Sequence, residues 1–433
     1  MLTDVVQTIP GQALPDSLYA RTLPAPPPPR QPLGGPTSAR VAIVGAGFTG
    51  LAAALQLARA GIDVVVLEAN EPGWGASGRN GGQINPGLKS GPETVSRDLN
   101  AEMMKISQAA ADTVFDLVAE LGIECDIRRG GTLRAAPTAA LVGDLEALTA
   151  EAARCGVSYR MLSAAEMAAA TGSGRYAGGM IDPKGGQLNP LKYALGLAAA
   201  ARAAGARIHG DTPVLKAEKT MNSWALTTPK GKVTADRVLF ATNGYSGPLI
   251  PGLRRSLLPV FSSILASKPL PEELRKRILA DGQSLFEISA VTTYYRVDAE
   301  GRLVFGGRGR MAEAGGPRAF PSLERHAEKL WPGIGKVGWD YGWNGRVALT
   351  ADHYPHLHQI EQTGYVCLGY NGRGVAMATV MGLQMGALLA QPRTPAPVLP
   401  ATPITPIAFQ PFWPSGVAPT LAWKRLGEAL RRA

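Results

Sequence analysis

Cysteine is nearly absent from this chain. Cys125, Cys155 and Cys367 are the whole supply in 433 residues. They are odd in number, widely separated and without a Cys-x-x-Cys spacing, which excludes a disulfide framework and a thiolate zinc site. A reducing compartment is the simpler assumption, so a cytoplasmic location is expected. Long apolar runs are missing too. Residues 41–58 carry no charge, but glycine punctuates them, so they read as strand, turn and helix rather than as a membrane span. Residues 375–390 are shorter and contain Gln384. No Lys or Arg precedes Arg21 and no apolar run lies ahead of it, so no signal peptide is expected. No Lys/Arg run is interleaved with aromatics, which weighs against nucleic acid as a partner. With 45% hydrophobic and 18% charged residues the composition is that of a soluble globular protein with room for two domains. The net charge of +10 reads mainly as a bias toward Ala, Gly, Pro and Arg, with attraction to an anionic cofactor or surface as the functional alternative.

What is present is glycine, in places where only glycine serves. Val41-Ala-Ile-Val-Gly45-Ala-Gly47-Phe48-Thr49-Gly50 is a β-branched strand running into glycines, and the Ala- and Leu-rich residues 51–60 then read as a helix. The glycines fall at the helix N-terminus, the end that binds anions. Gly45 permits the turn, Gly47 lets a pyrophosphate approach bare backbone, and Gly50 lets helix pack on strand. Amide hydrogens and the helix dipole meet the negative charge. A second strand, residues 63–67, ends in Glu68 and Ala69, and this acid is placed to accept hydrogen bonds from a ribose diol. A 2′-phosphate would be disfavoured there.

Further along, residues 1–37 hold the proline cluster 24–29 and read as an extended, weakly packed arm. Residues 73–83 carry too much glycine for a regular element and read as a loop held against something flat or charged. Helices are predicted over 101–121, 141–155, 164–170, 190–204, 271–280 and 376–389. Strands are predicted over 130–135, 207–218, 224–228, 233–242, 292–297, 302–307 and 364–368. Two strand-to-helix glycine turns, at Gly45–Gly50 and Gly369–Val375, imply one cofactor gripped at two places.

Four segments in order carry a resemblance to flavoproteins of the D-amino-acid-oxidase-like superfamily, which includes glycine and sarcosine oxidases. They are residues 41–50, the Gly-Ala-Ser77-Gly-Arg79-Asn80-Gly81-Gly82 core of 73–83, Trp343-x-Gly345 with Thr350-x-Asp352-x-x-Pro355, and residues 369–375. The second is the most specific and is similar to the γ-glutamylputrescine oxidase branch. The resemblance implies an α/β fold: a Rossmann-like FAD-binding domain (38–98, 186–260 and 340–395) and a second, discontinuous antiparallel-sheet substrate domain (99–185 and 261–339). An arm (1–37) and a C-terminal extension (396–433) flank them. It implies FAD, with Gly45, Gly47, Phe48, Thr49, Gly50, Glu68 and Ala69 on the ADP half and Val214 at the adenine. Ser77, Arg79, Asn80, Gly81 and Gly82 would lie near the pyrophosphate and isoalloxazine. Thr242 and Gly244 would line the same groove, and Gly372, Arg373, Gly374 and Val375 would bring a helix N-terminus to the flavin O2 side. The implied reaction is oxidation of a primary or secondary amine by hydride transfer to flavin N5, then imine hydrolysis, with O2 as the expected acceptor. Tyr294, Arg296, Trp343 and Arg373 are the candidate substrate-side residues, and no metal is expected.

Two departures from the family pattern matter. Arg79 stands where relatives with covalent flavin carry a histidine, and Cys367 lies on the strand before Asn371-Gly-Arg-Gly374, so non-covalent FAD is expected. Val347 stands where glycine-oxidase-like members carry the arginine that clamps an α-carboxylate, and strand alternation aims the adjacent Arg346 at the other face. Tyr294, Tyr295, Trp339, Tyr341 and Trp343 read either as an amine pocket or as core, with Tyr294 and Tyr295 on opposite faces. Arg296 reads either as a carboxylate partner or as an edge-strand surface arginine. His353, His356 and His358 read as a structural loop rather than a metal site. Residues 421–432 form a basic amphipathic pattern that docks on the protein or makes weak contact with a membrane surface. Alternatives are a membrane-associated amine or D-amino-acid dehydrogenase that reduces quinone, and an RNA-modifying flavoprotein.

Overall fold

The computed structural model describes residues 11–289, 292–391 and 396–413. The apolar run at 41–44 is the inner half of the strand Thr37–Val44, at the centre of a mixed eight-stranded sheet. Val64–Leu67 and Gly231–Phe240 pair with it in parallel on either side. Arg207–His209 and Gly364–Leu368 extend the parallel set, and His356–Ile360 closes one edge antiparallel. Both faces of these strands are covered, which is why they read as continuous apolar runs. Val41, Ile43, Val64 and Val66 face a core made with the helices Phe48–Arg59, Ala101–Leu121, Pro190–Ala203 and Gly374–Ala390. Ala42, Val44, Val65 and Leu67 face the opposite side, against Trp224, Leu226 and Leu253.

A second eight-stranded sheet runs in the order Trp339–Leu349, Leu258–Pro269, Arg302–Arg308, Tyr294–Val297, Ser284–Glu287, Thr132–Ala136, Gly178–Asp182 and Arg160–Ser163. All its pairings are antiparallel except that of Ser284–Glu287 with Thr132–Ala136. Leu265, Tyr295 and Phe305 point to one face and pack under the helix Pro321–Leu330. Ile264, Tyr294 and Trp343 point to the other, toward the first sheet. The protein is therefore a mixed α/β fold, with a Rossmann-like parallel sheet joined to a largely antiparallel one.

Several elements differ from expectation. The predicted strand 207–218 is broken into Arg207–His209 and Lys216–Lys219, because Pro213 can donate no ladder hydrogen bond. The predicted helix 271–280 is a single turn, Glu272–Arg275; Leu274 and Ile278 keep helical spacing, but Leu279 takes a positive φ of 48 and its amide donates to Ala170 O instead of continuing the helix. Boundaries drawn at 260 and 340 cut a continuous ladder, since Leu258–Pro269 pairs with Trp339–Leu349 from Leu258↔Leu349 to Ser267↔Trp339. Helix Ala101–Leu121, assigned above to the substrate part, packs in the core of the first sheet through Val114, Phe115 and Leu117. Among the described residues of the N-terminal stretch, 24–29 are mostly exposed, but the stretch is not weakly packed throughout. Ser17, Leu18, Tyr19 and Leu33 are buried. The basic pattern at 421–432 lies outside the described residues.

Candidate active site

The first glycine turn is built so tightly that its glycines have no substitutes. Gly45 has φ +104, and a Cβ on Gly50 would lie 2.0 Å from the Gly45 carbonyl oxygen. Gly47 caps the helix Phe48–Arg59 without any side-chain bond, and the Phe48 amide donates to Ser77 Oγ at 3.0 Å. Glu68 closes the turn: Oε2 accepts from the Ala46 amide at 2.7 Å and Oε1 from the Asn70 amide at 3.0 Å. Burial raises its carboxyl pKa above the ordinary range, and the backbone amides around it oppose that shift.

The second glycine turn delivers another helix to the same place. A Cβ on Gly382 would lie 2.4 Å from Thr49 O, and one on Gly386 would lie 2.8 Å from Ala53 O. That register means Gly374–Ala390 runs side by side with Phe48–Arg59 and in the same direction. It starts about two turns earlier relative to that contact, roughly 10 Å along the axis. Two positive helix ends thus open toward one cavity, offset along it. Neither N-cap residue, Gly47 or Arg373, makes a side-chain cap bond.

The glycine-rich loop crosses between them. Asn80 Oδ1 accepts from the Gly82 amide, while its Nδ2 donates to the carbonyls of Ala76 and Ser77. Arg79 is buried. Its Nε donates to Trp74 O, its Nη1 pairs with Glu313, and its guanidinium lies 4.2 Å from the Trp74 ring centroid.

The cavity has a volume of about 1090 Å³. The predicted residues Gly45, Gly47, Phe48, Thr49, Glu68, Ala69, Ser77, Arg79, Asn80, Gly81, Val214, Thr242, Tyr294, Gly372, Arg373, Gly374 and Val375 all line it. Gly50, Gly82 and Gly244 do not; they stand behind the lining, where neighbouring chain leaves Gly50 and Gly82 no room for a side chain. Two candidate substrate-side residues are misplaced. Trp343 is 1% exposed and donates from Nε1 to Arg79 O, so it braces the loop from outside the cavity. Arg296 is buried and donates to Gly81 O, Gln187 Oε1 and Tyr19 OH, so it is neither a surface arginine nor part of the lining. Trp339 and Tyr341 likewise pack in cores away from the cavity.

The wall opposite the glycine loop comes from the second sheet. Tyr294 is pressed between two glycines, since a Cβ on Gly81 would lie 2.6 Å and one on Gly306 2.2 Å from its ring. Its hydroxyl is 2.8 Å from Ser262 Oγ, and Tyr295 faces the opposite core. Phe286 lies on the same wall, with the Arg373 and Arg134 guanidiniums 5.5 and 5.8 Å from its ring centroid. Arg346 shares its face with Phe261, its cross-strand partner, and reaches 5.1 Å from the Tyr245 ring centroid. The cavity extends around that strand, so Val347 and Arg346 both line it, and aiming at the other face does not remove Arg346 from the site. The sequence reading missed Arg308, Phe261, Phe286 and Ser262, which only strand pairing brings together, and Lys89, which lies in a loop that no spacing marks.

The charge on this lining is one-sided. Arg79, Lys89, Arg308, Arg346 and Arg373 contribute cations, and Glu68 is the one carboxylate among the described lining residues. Burial pushes the Arg373 guanidinium below its usual range, with the Arg134 charge acting the same way and Tyr159 and Asp182 opposing. Burial also lowers Arg346. Cations made costly by their surroundings are stabilised by an incoming anion. Cys367 is buried on Gly364–Leu368, outside the lining, with its thiol pushed up to about 12 by burial. His356 is bonded to Asp352 and His358 to Thr402 O. Among the described residues no group of three or more metal-ligating side chains occurs, and no helix is long and apolar enough to cross a membrane.

A glycine turn with a closing acid, two offset helix N-termini and one long cavity define a dinucleotide-cofactor oxidoreductase. The chain belongs to the DAO family of FAD-dependent oxidoreductases, whose model matches residues 40–388. It is 31% identical to the γ-glutamylputrescine oxidoreductase of Escherichia coli over 81% of this chain and 83% of that protein. It is 33% identical to a probable oxidoreductase, OrdL, of Rhizobium meliloti over 80% of this chain and 82% of that one. Among solved structures it is similar to glycine oxidase from Geobacillus kaustophilus, with a TM-score of 0.72 and 23% identity over 83% of this chain and 96% of that chain.

Proposed function

We propose that this protein oxidises an amine that also carries a carboxylate, using FAD seated non-covalently in the cavity and O2 as the electron acceptor. The observation that carries the substrate class is the one-sided charge of the wall: Lys89, Arg308, Arg346 and Arg373 line the cavity, and its one acid, Glu68, is engaged by the Ala46 and Asn70 amides. A polyamine with a charge at each end is repelled by that wall, whereas a γ-glutamyl-type amine or an N-alkyl amino acid carries a carboxylate complementary to its charge. The similarity to γ-glutamylputrescine oxidoreductase supports the same class.

Glu68, the Gly45–Gly50 turn and Val214 would hold the ADP half, Ser77–Gly81 the middle, and the start of Gly374–Ala390 the ring end. When bound, FAD supplies a two-electron acceptor for the hydride on the carbon beside nitrogen. The residues here do the rest. Arg346 and Arg308 hold the carboxylate, while Tyr294 and Phe286 form an apolar wall that keeps water from the reacting carbon. Among the described lining residues no acid stands free to act as a base, so the amine enters neutral and its lone pair drives the reaction. The imine then leaves the dry wall and hydrolyses in solvent. With Arg79 at the loop and Cys367 buried behind the wall, the cofactor stays dissociable, and the enzyme works in the cytoplasm.

Steady-state assays with purified protein test this reading. Peroxide and an aldehyde or keto product are expected from a carboxylate-bearing amine. Substrate-dependent reduction of a quinone analogue without oxygen uptake would instead identify a dehydrogenase. Acid precipitation is expected to leave the yellow colour in the supernatant, and colour retained in the pellet would contradict non-covalent binding.

A further inference from the structure

The N-terminal segment is bolted to the same loop that lines the cavity, and the contacts are specific. At one end, the Gly11 amide donates to Ala69 O and the Gln12 amide to Asn70 Oδ1, directly after Glu68. The Ala13 carbonyl accepts from Trp74 Nε1 at 3.0 Å, and Trp74 in turn carries the Arg79 guanidinium on its face. Arg30 clamps the segment's other end, pairing with Glu71 and Asp211 while donating to Gln12 O.

Between these anchors, Ser17 caps a single turn, Leu18–Arg21, that drives Leu18 and Tyr19 into the gap between the two sheets. Tyr19 is 1% exposed and its ring meets the edge of Trp343 at 5.0 Å between centroids. Trp343 donates to Arg79 O. The Tyr19 hydroxyl accepts from Arg296 Nη2 at 3.2 Å, and Arg296 Nε donates to Gly81 O at 2.7 Å. Tyr19 therefore reaches both Arg79 and Gly81 through one intermediary each, and both are backbone carbonyls of the cavity lining. Within the loop Asn80 ties the Ala76 and Ser77 carbonyls and the Gly82 amide, whereas the Arg79 and Gly81 carbonyls take their bonds from Trp343 and Arg296 outside it.

We propose that the segment 11–22 is a built-in part of the cofactor seat, with Tyr19 as the positioning residue that sets the Arg79 and Gly81 carbonyls for FAD. This rests on the reading that the cavity seats FAD. Tyr19 touches neither cofactor nor substrate; it acts through Arg296 and Trp343. The exposed prolines 24–29 form the connection between this strap and the first strand.

The test compares full-length wild type with Tyr19→Phe, which keeps the ring and removes only the hydroxyl. Both are stripped of FAD and titrated back by fluorescence, with the visible spectrum recorded at saturation. A hydrogen bond to a charged group is worth about tenfold or somewhat more in an equilibrium constant. The variant is therefore expected to bind FAD about tenfold more weakly, with shifted vibronic structure in the bound flavin band, while its apoprotein melts where wild type does. A second arm places a protease site within residues 24–29 of the full chain and cuts the holoenzyme, with FAD release expected once the strap is washed off. Equal FAD affinity and spectrum in Tyr19→Phe, or FAD fully retained after loss of the strap, would overturn the proposal. An apoprotein destabilised as much as FAD binding is weakened would do so too, by showing a merely structural role. Wild type that takes up no FAD would remove the seat itself and the proposal with it.

Discussion

The two ends of the cavity are made of different material. The part proposed to seat the cofactor is backbone: a glycine turn, two helix N-termini and one acid whose oxygens both engage main-chain amides. The part proposed to seat the substrate is side chain: Tyr294, Phe286, Ser262, Arg308 and Arg346 come from five different strands. A backbone site tolerates almost no change of residue but leaves a compact local pattern. A side-chain site tolerates exchange, so it can be retuned for a different amine without disturbing the cofactor.

The sharpest way to break that contrast is Gly50→Ala. Its Cβ would lie 2.0 Å from a main-chain oxygen that cannot move without the turn. We expect the protein to lose about 3 kcal/mol of stability and to purify without FAD, as measured by thermal melting and the 450 nm region of the spectrum. A yellow protein of normal stability would show that the turn is less rigid than its geometry implies.

Substitution at the other end is expected to act on substrate alone. Arg346→Gln and Arg308→Gln should each raise KM for a carboxylate-bearing amine by roughly ten- to a hundredfold with kcat little changed, and leave FAD affinity at the wild-type value. Loss of FAD from either variant would blur the division between the two ends.

The smallest expected effect concerns pH. Because burial raises the Glu68 carboxyl above its unfolded value, its protonated form favours the folded apoprotein. That contribution is fully present below the ordinary carboxylate range and is lost as pH rises through the higher folded pKa. Denaturant melts of apoprotein should show this decline in wild type and its absence in Glu68→Gln.

The same contrast explains what was legible in advance. Gly45, Gly47, Gly50 and Glu68 stand within 24 residues of one another and encode their own geometry, so the turn they build could be placed from spacing. Tyr294 and Arg373 were picked out and do line the cavity. Arg308 was not, because its relation to Ser262 exists only through the pairing of Arg302–Arg308 with Leu258–Pro269. Trp343 and Arg296 were given to the substrate for their chemistry, yet burial behind the loop turned both into braces. Alternation at Arg346 and Val347 already read as strand, but the full length of the two longest strands stayed hidden because Gly342, Gly345, Ser262 and Ser263 interrupt their apolar patterns. Proline content concealed the strap, since the run 24–29 dominates the composition of a segment whose Leu18 and Tyr19 are core.

We propose that one cavity holds FAD at its backbone end and a carboxylate-bearing amine at its cationic end. Anaerobic titration of the FAD-loaded protein with two amines of equal chain length, one carrying a γ-glutamyl carboxylate and one lacking any carboxylate, tests it most directly. The first is expected to bleach the flavin absorbance at concentrations where the second leaves it unchanged. Equal bleaching by both, or bleaching by the uncarboxylated amine alone, would contradict it.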